Sequence, residues 1–211
     1  MEIEKLTKEE LNQMLVEVRK SYRFLYLFQQ RVLDLVKFIG SHFEFEYWGA
    51  WSHYSKPFRN GKGKLENWAW DWLPMYHIEF GFFTQMKDIE FSILLQCDTG
   101  YYDMDKPTQN HKLKVEAFAK PENSKTIIHL VLRHKNRNIQ EYKNDQVKSK
   151  SEDFFFDNSN SEILLGYKIP LENLIDEKST RIELDEFTKL VRLKTSIALF
   201  SKTMESQNSD E

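Results

Sequence analysis

His77, Glu79 and Glu90 supply the first chemical possibility in the chain, an imidazole and two carboxylates inside one pair of neighbouring apolar runs. Brought within cross-strand distance, such groups bind a divalent metal or act as acid and base. The solvated face of any antiparallel sheet carries similar residues, which is the plainer reading of the same three. At the end of the second run, Asp98, Asp103 and Asp105 offer the oxygen ligands that Mg²⁺ or Ca²⁺ favours. Lys106 stands where an EF-hand loop would place its third alternating ligand, so a polar turn is the preferred reading of these aspartates.

Cys97 continues the parity of Phe91, Ile93 and Leu95, and reads as an inert core thiol rather than a nucleophile. His111, His129 and His134 are isolated in the sequence. No His-Glu-x-x-His or Cys-x-x-Cys spacing marks a zinc site, and no Gly-x-Ser-x-Gly elbow marks a serine hydrolase.

The second possibility is a binding surface. Between Phe43 and Phe83, 14 of 41 residues are aromatic, among them all five tryptophans, Trp48, Trp51, Trp68, Trp70 and Trp72. Trp and Tyr join a large apolar body to one polar handle, which suits a core, a protein interface or stacking on a base or sugar. In the same segment Lys56, Arg59, Lys62 and Lys64 surround Gly61 and Gly63, and glycines let backbone amides approach an anion. Glu66 replaces the third glycine of a dinucleotide-binding turn, and no P-loop lysine follows. The candidate binding residues are therefore Lys56, Arg59, Lys62, Lys64, Trp68, Trp70 and Trp72, within an aromatic-rich, basic-loop segment spanning 47–76.

Charge is nearly balanced over the 211 residues, with 30 Lys and Arg against 33 Asp and Glu. Locally it is not: residues 106–150 hold 11 basic and 4 acidic side chains, an excess of 7. Clustered cations raise the local potential and can meet a phosphate backbone, so nucleic acid is a possible partner of this segment. Much of the excess lies in the polar run Arg133 to Lys150, which reads as a solvated loop or surface helix.

Elements that could position these groups follow from periodicity. Thr7 and Glu10 form a capping box, and a 4-3 series from Leu11 through Leu15, Val18, Tyr22, Leu25, Gln29, Val32, Val36 and Ile39 describes one long helix ending at Gly40. So long a helix must protrude, bend or divide near Ser21, and its heptads also admit a coiled-coil dimer. Phe43, Phe45 and Tyr47 alternate as a strand, followed by runs ending in Phe83 and beginning near Asp88. A hairpin with the loop Thr84 to Lys87 pairs Phe82 with Ile89, Phe80 with Phe91, Ile78 with Ile93 and Tyr76 with Leu95, leaving every apolar position on one face. The same register sets Glu79 opposite Ser92 and Gly81 opposite Glu90.

Further strands are expected at 112–119, 126–132 and 162–169, with a turn at Pro121. Pro170 suits a helix first turn, Thr180 with Glu183 offers a second capping box, and helical spacing runs on to Ala198. The expected architecture is α+β: an antiparallel sheet of five or six strands covered by a long N-terminal helix and a C-terminal helix, one domain over 1–203 with a frayed polar tail at 204–211.

A helix leading into an antiparallel hairpin is similar in topology to the opening of restriction-like nucleases, over residues 7–97. Their strand carries an acidic residue two positions before a lysine, whereas here the only Glu-x-Lys, Glu141-Tyr142-Lys143, falls in the polar run. No stretch approaches the ~18 apolar residues of a membrane span, the first residues are acidic where a secretion signal would be basic, and a single cysteine excludes an internal disulfide. The sequence thus points to a cytoplasmic protein with no membrane contact. It reads first as a non-enzymatic binding or interaction module for a protein or small-molecule partner. The alternatives are a metal-dependent nuclease or phosphodiesterase using Mg²⁺ or Mn²⁺ at His77, Glu79, Glu90 or Asp98, and a dimeric scaffold built on the N-terminal helix.

Overall fold

A computed structural model of the chain describes residues 7–52, 77–100, 118–145, 152–159 and 162–199. The chain falls into two compact units, residues 1–38 and 39–211, and the fold is α+β. Helix α1 (Lys8–His42) begins as its sequence dictates: Thr7 N donates to Glu10 Oε2 at 2.8 Å and Glu10 N to Thr7 Oγ1 at 3.2 Å, the reciprocal bonds of a capping box. It runs without division, and Ser21, whose hydroxyl donates to the Glu17 carbonyl at 3.0 Å, sits inside it.

Gly40 does not end this helix. Its missing side chain admits the Phe82 ring, since a Cβ there would stand 2.5 Å from Phe82 Cε1. The stop lies four residues later, where Glu44 adopts the left-handed conformation (φ 56°). Glu44 N then donates to the Ser41 carbonyl and Phe45 N to the Gly40 carbonyl, the bond pattern of a Schellman cap. Phe43 and Phe45 therefore belong to the helix exit rather than to a strand, and β1 starts at Glu46.

Among the described residues the second unit holds six antiparallel strands: β1 (Glu46–Ser52), β2 (His77–Phe83), β3 (Ile89–Gln96), β4 (Ile127–His134), β5 (Phe154–Asp157) and β6 (Leu164–Pro170), in the spatial order β1-β2-β3-β4-β6-β5. The hairpin register is two residues off the expected one: Phe82 pairs with Phe91, Phe80 with Ile93 and Ile78 with Leu95. Thr84 is the cause, because its hydroxyl accepts from Met86 N and donates to the Ile89 carbonyl, holding a longer loop. A shift of two preserves the faces, which is why the alternation was legible and the pairing was not.

One face is apolar. Phe91, Ile93, Leu130 and Leu132 are fully buried, and Phe91 meets Phe43 and Phe187 with ring centroids 5.9 and 6.0 Å apart. Each such side chain contributes roughly 1.5–3 kcal/mol by leaving water. Phe187, Leu184 and Val191 come from α3 (Glu177–Lys194). Its N-cap is Asp176, which accepts from Ser179 N at 2.7 Å, and not the expected Thr180 and Glu183 pair. Thr180 instead donates to the Asp176 carbonyl, and Glu183 accepts from Tyr167 Oη at 2.7 Å. Pro170 ends β6 and is the N-cap of a single 3-10 turn, Leu171–Asn173, rather than part of an α-helix, and α3 stops at Lys194, short of Ala198.

One strand was not expected: β5 extends the sheet beyond β6. The polar run holds a helix, α2 (Ile139–Asp145), but one with buried side chains rather than a solvated one. Of the strand expected at 112–119, only Phe118 and Ala119 lie within the described residues, and neither is in a strand. The tail at 204–211 lies outside them. Among the described residues no helix is long and apolar enough to cross a membrane.

Candidate functional site

The second face of the sheet holds the polar residues, and it is buried. Strand register places Glu79 opposite Leu94, Leu94 opposite His129 and His129 opposite Lys168 in one row, with His77 opposite Gln96 in the next. Helix α2 contributes Tyr142 and Lys143, both buried. Gly166 makes room for Tyr142, because a Cβ there would lie 2.0 Å from its ring. Leu94, Val131 and Leu164 complete a small apolar cluster around the phenol.

Two hydrogen-bonded groups organise this face. In the first, Lys143 Nζ donates to Glu79 Oε2 at 2.8 Å and Ser92 Oγ donates to Glu79 Oε1 at 3.1 Å, so both oxygens of the carboxylate are engaged. Burial lowers the Lys143 ammonium below its ordinary range, and the Glu79 charge offsets part of that shift. In the second, His129 lies 3.0 Å from Tyr142 Oη through Nδ1 and 3.2 Å from Gln96 Oε1 through Nε2. Burial holds the imidazole well below its usual pKa, helped by His77 and Lys168, so it is neutral. A carbonyl oxygen only accepts; His129 Nε2–H therefore donates to Gln96, and Nδ1 accepts from the Tyr142 hydroxyl. Burial also pushes the Tyr142 phenol up, which keeps that donor protonated.

The expected trio is thus not assembled. His77 and Glu79 share a face two residues apart on β2, but Glu90 stands opposite Phe83 and pairs with Arg133 across the β3–β4 ladder. Among the described residues, no three acidic, histidine or cysteine side chains come together as a metal set.

The basic run likewise turns inward. Arg133 pairs with Glu90, Arg137 with Asp157 at 2.7 Å and Lys143 with Glu79, joining three cations of the run to carboxylates of β3, β5 and β2. Arg137 also donates to the Glu162 carbonyl, and Arg133 to the Arg137 carbonyl. Residues 133–145 of a segment that reads as solvated are instead folded across the polar face, with Tyr142 and Lys143 as anchors, while 146–150 lie outside the described residues.

Asp98 closes a turn, its Oδ1 accepting from Gly100 N at 2.7 Å, while Asp103 and Asp105 lie outside the described residues. Cys97 is partly buried, and burial together with Asp98 pushes its thiol up to about 12, far from nucleophilic range.

The aromatic segment is described only in part. Lys56, Arg59, Lys62, Lys64, Trp68, Trp70 and Trp72 lie outside the described residues. Trp48 and Trp51 lie on β1, which among the described residues pairs with β2 alone and forms one edge of the sheet. The register shifts by one residue between Tyr47 and Gly49, a bulge at Trp48. With that extra residue, two tryptophans three positions apart reach the same face, their ring centroids 4.3 Å apart. Trp48 also stacks on Phe83 at 5.6 Å, and both indoles lie over Gly81, where a Cβ would come within 2.8 Å of Trp48 and 3.0 Å of Trp51. Trp48, Trp51 and Phe83 are 43, 38 and 48% exposed.

His129, Tyr142, Lys143 and Gln96 escaped the sequence reading. The alternation Ile128, Leu130, Leu132 gives His129 its face, but the seven residues of α2 are too few to show a helical period.

No curated protein and no solved structure matches the chain. Residues 8–196 match PM0109, and the chain belongs to that family.

Proposed function

We propose that the protein is a non-enzymatic interaction module of the cytoplasm that holds an extended segment of a partner protein along the β1 edge. The observation that carries this reading is the exposed stack of Trp48, Trp51 and Phe83 beside a strand that, among the described residues, has one paired side. An edge strand offers its backbone donors and acceptors to an added strand, and large aromatics anchor such contacts. The polar face supports the same reading: Glu79 and His129 are bound to Lys143 and Tyr142, an arrangement suited to holding α2 on the sheet, and Glu90 is bound to Arg133 of the neighbouring strand β4. The nucleic-acid alternative loses part of its charge to the internal pairs of Arg133, Arg137 and Lys143.

Selection of a random-peptide display library on the wild-type protein tests this. The expected peptides lose at least about tenfold in affinity, ~1.4 kcal/mol, on Trp48→Ala or Trp51→Ala. They are unaffected by Ile182→Ala, an exposed position on α3. Failure to select any peptide, or peptides indifferent to both tryptophans, overturns the reading.

A further inference from the structure

We propose that residues 11–29 of α1 pair with a second copy of this chain as a parallel, in-register two-stranded coiled coil. The 4-3 series has two fates in one helix. Val32, Val36 and Ile39 are buried, whereas Leu11, Leu15, Val18, Tyr22 and Leu25 are exposed. A stripe repeating every 3.5 residues is matched by another helix with the same repeat, whose side chains enter the holes it leaves.

The exposed area is too large for a bare monomer surface. Tyr22 and Tyr26 are 67 and 68% exposed, which leaves roughly 100–170 Å² on each. With the four aliphatic seam residues and Met14 the stripe presents on the order of 700 Å², above the ~300–600 Å² of the largest patch on an ordinary monomer and near the ~800 Å² each partner buries in a standard interface.

Gln29 selects the occupant and the direction. With the series written as a heptad, Leu15, Tyr22 and Gln29 take a positions and Leu11, Val18 and Leu25 take d positions. In a parallel, in-register pair Gln29 meets Gln29 of the second copy, and each amide both donates and accepts. An antiparallel pair sets it against a leucine or valine at d. The flanking g and e positions agree: Met14 faces Arg19, Ser21 faces Tyr26 and Phe28 faces Leu33, so no like charges meet.

Light scattering on a size-exclusion column at tens of micromolar tests the pairing, with an expected mass twice the 25.4 kDa of the chain. Leu15→Glu with Leu25→Glu is expected to give the single-chain mass with an unchanged far-ultraviolet circular dichroism spectrum, since both side chains are exposed in the lone chain. Leu25→Cys is expected to form a disulfide-linked dimer on mild oxidation, while the protonated Cys97 thiol does not compete. A monomeric wild type, a dimer that survives the double substitution, or a dimer in which Leu25→Cys fails to cross-link each overturns the proposal.

Discussion

Lys143 Nζ lies 2.8 Å from Glu79 Oε2 although the two residues are 64 positions apart, and both side chains are more than nine-tenths buried. Through this bond α2 closes over the polar face of the sheet. A buried ion pair gives little net stability over an apolar pair, but losing one partner leaves a buried charge without compensation.

The first expectation follows from that asymmetry. Glu79→Gln, which keeps an acceptor for Ser92, and Lys143→Met should each cost about 3 kcal/mol or more in urea unfolding. The double variant should cost less than the sum of the two by about 2 kcal/mol. Additive losses would show that the pair is not coupled and that α2 is held by Tyr142 alone.

His129 sets the acid side of the stability curve. The folded protein keeps this imidazole neutral, with its pKa well below the ordinary value, while the unfolded chain takes up a proton near pH 6.5. Below that pH the unfolded state binds more protons, so stability falls as pH falls, by up to about 1.4 kcal/mol per pH unit for this one group. His77 on β2, Lys168 on β6 and Lys143 on α2 stand on the same face, and none of them offers the negative charge that would rescue a protonated His129. Glu79 is held by Lys143. Unfolding free energies at pH 7, 6 and 5 should decline in the wild type and decline less steeply in His129→Gln. Equal slopes would place the acid sensitivity elsewhere, with His42, whose pKa burial and Arg181 also lower, the next group to replace.

Periodic elements were legible and compensated ones were not. The capping box at Thr7 and Glu10, the two-residue alternation of β2, β3 and β4, and the sheet-plus-helices class all follow from local chemistry repeated over many residues. The hairpin pairing depended on one hydroxyl, Thr84, and a shift of two residues leaves no trace in an alternating pattern. The site was harder still. Glu79 was identifiable as a polar residue on a strand, but its partner Lys143 sits in a seven-residue helix inside a basic run, and only tertiary contact distinguishes it from the lysines around it. The Trp48 bulge is equally silent, because strict alternation would send Trp48 and Trp51 to opposite faces.

Gly40 and Glu44 invert the usual roles of their residue types, and substitution should expose this. Glycine inside a helix ordinarily costs about 1 kcal/mol relative to alanine, so Gly40→Ala would stabilise an isolated helix. Here the new Cβ would stand 2.5 Å from a buried Phe82 ring, and overpacking of this kind costs about 1–3 kcal/mol. The steric cost should win, lowering the thermal midpoint by several degrees, and Phe82→Leu in the Gly40→Ala background should recover part of the loss. Glu44 holds a left-handed conformation that glycine adopts without penalty. Glu44→Gly removes about 1 kcal/mol of that strain and gives part of it back through the freer unfolded chain, for a small net gain. A stabilised Gly40→Ala would mean that the last turn of α1 yields to Phe82, and a destabilised Glu44→Gly that the glutamate side chain contributes more to the cap than its backbone costs.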